Sequence, residues 1–155
     1  MFDLNAIRAA EATLQGRLRH TELIHSHYFS ERLGYPLFFK CENLQRTGSF
    51  KIRGALNFLD NQPAERLQNG LITASAGNHA QGVAHAARIC GLKCIIVMPE
   101  TTPLSKVNGT RELGADIVLH GAGYDDAFEE ASRLRQEHGY TLVHAFDDEA
   151  VIAGQ

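Results

Sequence analysis

The sequence predicts an α/β protein built on an open, mostly parallel sheet with helices on both faces. Short apolar strands alternate with helix-length amphipathic stretches from Leu71 to His144, and glycines at 91 and 114 end two of those stretches. The 155 residues, 44% hydrophobic and 21% charged, suffice for a packed core. Strands joined by crossovers of this length pair in parallel, the crossovers being right-handed, and both sheet faces must then be covered.

Asp3 caps a first predicted helix running to about Leu14, with Ile7, Ala10 and Leu14 on one face and Gly16 as its stop. The stretch Arg17 to Leu23 reads as a polar connector. Within the same connector region, His25 and His27 lack a third ligand and are expected at the surface, with no metal. Gly34-Tyr35-Pro36 introduces Leu37 to Cys41, which reads as a buried strand. Thr47-Gly48 then makes a turn and Ser49 supplies an N-cap. A helix begins whose apolar positions are Phe50, Ala55, Leu56 and Leu59, and it breaks at Asp60-Asn61-Gln62-Pro63.

The pattern then becomes regular: strand Leu71 to Ala74, and helix Asn78 to Cys90 with Val83, Ala84, Ala87 and Ile89 inward. Strand Lys93 to Met98 follows, then a helix opened by Pro103 and closed by Gly114, and strand Asp116 to Leu119. Helix Tyr124 to His138 and strand Leu142 to His144 complete the run. The final residues, Asp147 to Gln155, begin a helix with acidic residues in its first turn and no stop signal, so the chain is expected to be cut short.

A net charge of -3 offers no footprint for nucleic acid, and no apolar run has membrane-spanning length. The amino terminus lacks a signal-peptide layout, which makes a cytoplasmic protein the default. Three cysteines, Cys41, Cys90 and Cys94, fit reduced thiols better than a disulfide framework.

Two stretches carry chemistry. Lys51 falls in the first turn of its predicted helix, where the dipole disfavours an ammonium, and beside Phe50 it is partly desolvated. Such a lysine loses its proton readily and becomes a usable amine nucleophile, although a lone lysine is ordinarily a solvated surface residue. Ser75-Ala76-Gly77-Asn78-His79 joins a strand's carboxyl end to a helix N-terminus, where backbone N–H groups make a seat for an anion. Taken alone, Gly77 can simply make the turn, and Asn78 and His79 can simply cap the helix.

Together these stretches resemble the pyridoxal-phosphate enzymes of the β-family (fold type II). Thr47-Gly48-Ser49-Phe50-Lys51-x-Arg53-Gly54 resembles that family's Schiff-base lysine segment, and Ser75-x-Gly77-Asn78-His79 its substrate-carboxylate loop. The likeness runs on through Ile96-Val97-Met98-Pro99, Gly114-Ala115-Asp116 and His144 to Asp148, as far as Val151 to Gln155. It implies that residues 1-52 are the amino-terminal part of the cofactor domain, 53-145 a small α/β domain, and 146-155 the start of the return to the first.

Within the family, cysteine and threonine synthases usually place Asp after the lysine and Thr after the loop Asn. This chain has Ile52 and His79, which points to the threonine dehydratase and serine racemase branch. Serine racemase carries a second base, a serine, where this chain has Ala76, so the dehydratase is favoured.

The resemblance implies that Lys51 carries pyridoxal phosphate and acts as general base, that Phe50 packs beside the ring and that Asn78 meets its 3-hydroxyl. Ser75, Ala76, Gly77, Asn78 and His79 would seat the carboxylate of L-threonine or L-serine, and the products would be a 2-oxo acid and ammonia. The family's phosphate-binding glycine loop and pyridine-nitrogen partner are not found within these residues, so the isolated chain is expected to bind cofactor weakly and catalyse little. The rival readings are a non-catalytic α/β domain that associates with itself or a partner, a homo-oligomer being compatible with either, and a serine racemase-like enzyme.

Overall fold

The computed structural model describes residues 3–155. Its centre is a four-stranded parallel sheet in the order β5-β4-β3-β6, formed by β3 (Leu71–Ala74), β4 (Cys94–Met98), β5 (Asp116–Leu119) and β6 (Thr141–Leu142). Every residue of β3 and β4 is buried, which is why both read as unbroken apolar runs instead of alternating ones.

Side chains alternate across this sheet and build a core on each face. Leu71, Cys94, Ile96 and Met98 join α3 (Lys51–Asp60) and α5 (Asn78–Cys90) through Leu56, Leu59, Val83 and Ala87. Ile72, Ala74, Ile95 and Val97 face α7 (Tyr124–His138) through Ala127 and Ala131. The α/β architecture with helices on both faces is therefore as expected. Val107 of α6 (Leu104–Glu112), Leu14 of α1 (Leu4–Leu14) and Val151 of α8 (Glu149–Gly154) complete the first core.

The predicted caps at the chain's start hold: the Asp3 side chain accepts from Ala6 N at 3.0 Å, and Gly16 takes a positive φ of 75°. Of the predicted inward face of α1, Ala10 and Leu14 are buried and Ile7 is exposed. Ile89 is also outward on α5, because the face that meets the sheet is carried by the small residues Ala80, Ala84 and Ala87 with Val83.

Three expectations need correction. The stretch after Arg17 is not all connector: it holds β1 (Leu23–His25) and leads into α2 (His27–Leu33), capped by Ser26 and closed by Gly34 at φ 75°. The strand expected to be buried at Leu37 to Cys41 is β2 (Phe38–Lys40), which is exposed along its whole length. Among the described residues it pairs antiparallel with β1 alone, outside the main sheet, and no second layer covers its faces. Lastly, Ser49 does not cap α3. Phe50, already helical at φ -69° and ψ -13°, takes the cap position without a side-chain bond, and the buried Ser49 hydroxyl has no partner among the described residues. A short helix, α4 (Ala64–Leu67), fills the predicted break after Pro63.

Candidate active site

Lys51 is the first residue of α3, and the helix crosses α5 so closely that Gly82 has no room for a side chain. A Cβ there would lie 2.9 Å from the Lys51 carbonyl carbon and 3.0 Å from Ile52 N. Behind Lys51, Arg53 makes a two-pronged ion pair to Glu42, Nε and Nη2 each 2.7 Å from a carboxylate oxygen. The Thr21 hydroxyl donates to the same carboxylate at 2.5 Å. These bonds tie the segment ahead of the lysine to its helix, and the Glu42 carboxyl, although burial opposes its charge, is held below its ordinary value by Arg53 and Thr21.

The Lys51 ammonium is half-buried. Nζ donates to the Ala145 carbonyl at 2.8 Å and to Gln155 Oε1 at 3.0 Å, and lies 5.3 Å from the centre of the Phe50 ring. Desolvation by burial lowers its pKa from the ordinary lysine value, so the neutral amine is easier to reach. Phe50 itself is exposed at the cap of α3.

The Ser75 to His79 loop follows β3 at the N-terminus of α5. Ser75 N donates to Val97 O at 3.1 Å, anchoring the loop to β4, and Gly77 N donates to Ser75 Oγ at 3.2 Å. Gly77 caps the helix without a side chain and has open space where a Cβ would stand. Among the described residues, no acceptor meets the backbone N–H groups of Asn78, His79 and Ala80. Ser75, Ala76 and Gly77 are half-buried and Asn78 is exposed. These amides stand at the start of a 13-residue helix, where backbone N–H groups lack intrahelical acceptors and the dipole favours negative charge.

His79 turns inward instead. Its Nε2 lies 3.0 Å from the Val143 carbonyl, which identifies Nε2 as the protonated nitrogen, and its buried Nδ1 has no partner among the described residues. Burial drives its pKa from 6.5 to about 4, and the positive charge of Lys51 adds to the effect, so the ring is neutral near pH 7. His79 can thus offer the seat its backbone amide, while its side chain is structural.

The structure therefore brings the lysine and the loop to adjoining helices, with the charge of Lys51 felt at His79. It does not join them by a hydrogen bond among the described residues; the Nζ bonds go to Ala145 and Gln155. Neither of these two acceptors is marked by the sequence as a partner of the lysine. A backbone carbonyl has no sequence signature, although the segment His144 to Asp148 does carry part of the resemblance. His25 and His27 pack ring to ring at 4.5 Å, and among the described residues no group of three or more His, Cys, Asp or Glu is placed to hold a metal ion. Nor, among those residues, is any helix long and apolar enough to cross a membrane.

The sequence profile of the family described as "Pyridoxal-phosphate dependent enzyme" matches residues 14–155. The chain belongs to this family. It is 56% identical over its full length to an L-threonine ammonia-lyase of Geobacter sulfurreducens, covering 39% of that protein. It is 48% identical to an L-threonine ammonia-lyase of Thermotoga maritima, again covering 39% of it. Among solved structures, maize serine racemase superposes with a TM-score of 0.91 at 35% identity, over 98% of this chain and 46% of that one. The processed threonine deaminase isoform 2 of Solanum lycopersicum superposes with a TM-score of 0.87 at 41% identity, over 97% and 41% respectively. The chain thus spans less than half the length of these members of the family.

Proposed function

We propose that this chain carries the lysine and the substrate-carboxylate loop of a pyridoxal-phosphate-dependent threonine/serine ammonia-lyase, which turns L-threonine or L-serine into a 2-oxo acid and ammonia. The observation that carries the reading is Lys51: a half-buried amine of lowered pKa at the start of α3, the helix that crosses α5, whose first amides have no acceptor among the described residues. The naming of the aligned relatives as threonine ammonia-lyases supports the reaction class.

The residues fit the cofactor's chemistry, since an aldehyde condenses with an amine and a carboxylate needs N–H donors. Bound pyridoxal phosphate supplies an electron-accepting ring that stabilises negative charge at the substrate Cα. Lys51 Nζ would hold the cofactor and would serve as general base for the substrate Cα proton, for which a lowered pKa is an advantage. Ser75 Oγ and the amides of Gly77, Asn78 and His79 orient the carboxylate, with Ala76 leaving room beside them. Phe50 would lie beside the cofactor ring, and the exposed Asn78 side chain would serve its hydroxyl. The β-hydroxyl would take up a proton and leave as water, and hydrolysis of the unsaturated product would release the 2-oxo acid and ammonia. In domain language, 1-52 belongs with 146-155 and 53-145 forms the smaller unit. The phosphate cradle and the pyridine-nitrogen partner belong to other parts of the full-length enzyme, which we place in the cytoplasm on the strength of three free thiols.

A racemase reading has the likeness to maize serine racemase in its favour. Racemisation requires a second proton-transfer group on the opposite ring face, and the methyl of Ala76 cannot provide one. The test is spectroscopic first: the full-length enzyme mixed with pyridoxal phosphate should develop a visible band that borohydride removes and Lys51→Ala abolishes. The absence of a Lys51-dependent band would sink the proposal. In the full-length enzyme, L-threonine should yield 2-oxo acid, and Lys51→Ala should lower the rate by roughly a hundredfold or more. D-amino acid as the main product would favour the racemase.

A further inference from the structure

The segment between β6 and α8 is shaped by one imidazole. His144 Nδ1 accepts from Asp147 N at 2.9 Å and from Phe146 N at 3.3 Å. A side-chain acceptor two bonds from Cβ that takes the amides two and three residues ahead is the geometry of an Asx turn, made here by histidine. The arrangement requires Nδ1 to be bare. The ring is also wedged between aromatic neighbours, edge-on to Phe128 at 5.9 Å and to Phe146 at 4.8 Å.

On one side of the turn, Val143 O is pinned by the Thr73 hydroxyl at 2.8 Å and by His79 Nε2 at 3.0 Å. On the other, the Asp148 side chain caps α8 by accepting from Ala150 N and Val151 N. Between these fixed points lies Ala145, whose carbonyl receives Lys51 Nζ at 2.8 Å. A carbonyl has no rotamer of its own, so the turn decides where it points.

We propose that His144 is a positioning residue for Lys51: by closing the 144–147 turn through Nδ1, it aims the Ala145 carbonyl at the lysine and keeps the amine in its half-buried place. The inference rests on the reading of Lys51 as the amine of the site. A ring needed for packing alone is replaceable by phenylalanine. A ring needed for its acceptor is replaceable by asparagine, whose Oδ1 stands at the same bond separation from Cβ. The two substitutions therefore separate the roles.

With the turn open, Lys51 gains water, its lowered pKa returns toward the ordinary value, and less of it is free amine. The experiment is competitive labelling of the full chain with limiting acetic anhydride at about pH 8, no cofactor present, with Lys93 and Lys106 as internal references. His144→Phe should lower Lys51 labelling about threefold or more, and His144→Asn should restore it to within about 1.5-fold of the unchanged chain. Unchanged labelling in a folded His144→Phe, or a loss in His144→Asn as large as in His144→Phe, overturns the proposal. Should His144→Phe fail to fold, the Phe146 and Asp147 amides of the unchanged chain must exchange at least about tenfold more slowly than free amides, and fast exchange overturns the proposal equally. Because labelling uses no cofactor, its failure removes the positioning role, whereas a missing visible band removes only the ammonia-lyase reading.

Discussion

His79 links the chemistry of the site to the stability of the fold. Its pKa lies at about 4 in the folded chain, against 6.5 for a histidine in water, the value it takes when the chain unfolds. Between those values the unfolded chain binds more protons than the folded one, so folding stability rises with pH across this window. The contribution is complete above about pH 6.5, declines as the pH falls, and is exhausted below about 4, a difference of roughly 3 kcal/mol. Chemical denaturation at a series of pH values should show this decline, and His79→Gln should flatten that part of the curve. A slope unchanged in the variant would mean that another group carries it. His79 also marks how far single residues could be read from sequence. The motif located Lys51 and the loop, because side-chain identity and spacing are what a sequence records. It did not distinguish the amide of His79 from its ring, because the direction of a side chain depends on what surrounds it; here Val143 comes 64 positions later.

Among the elements, α3 is the one that α1, α5 and α8 all pack against. Besides Gly82 of α5, Gly54 of α3 meets α8, where a Cβ would stand 2.6 Å from Val151 O, and Gly154 would strike Arg53 O at 2.7 Å. In an open helix, alanine is favoured over glycine by about 0.5–1 kcal/mol, whereas backbone overpacking costs about 1–3 kcal/mol. Gly82→Ala and Gly54→Ala should therefore lose about 1–2 kcal/mol of stability in denaturant titrations. Gly109→Ala in α6, whose nearest neighbour is the flexible end of the Gln81 side chain at 3.8 Å, should gain about 0.5 kcal/mol. The opposite signs are the test, and a gain at Gly82 would disprove the close crossing. Elements from β3 to α7 were legible because apolar runs, glycine stops and capping residues agreed. Of the earlier ones, α1, α3 and the position of β2 were also legible, but β1, α2 and the exposure of β2 were not: these three elements bury none of their own residues, so the apolar periodicity that reveals a covered face does not develop. Ser26 and Gly34 did offer boundaries for α2, and their spacing was the one usable signal there.

Across the whole molecule, burial is distributed unevenly enough to predict where the chain opens first. Leu71, Ile72, Ile96 and Val97 are completely buried at the middle of the sheet, with α5 and α7 on opposite faces. Leu14 and Val151 connect α1 and α8 to the core that includes Ile52 and Leu56. By contrast, β1 and β2 form a two-stranded ladder three residues long, and Leu23 and Phe38 are 66% and 54% exposed. An isolated ladder of that size is marginal in water, so it must open without disturbing the sheet. Native-state hydrogen exchange should give amides of β3, β4 and α5 the protection of global unfolding and those of β1 and β2 at least about 2 kcal/mol less. The helices α1 and α8 should fall between, since each meets α3 along a single face. If residues 146–155 instead exchanged together with β3 and β4 at the global limit, the proposed division at 145 would have no energetic basis, and the sheet and its returning helix would be a single cooperative unit.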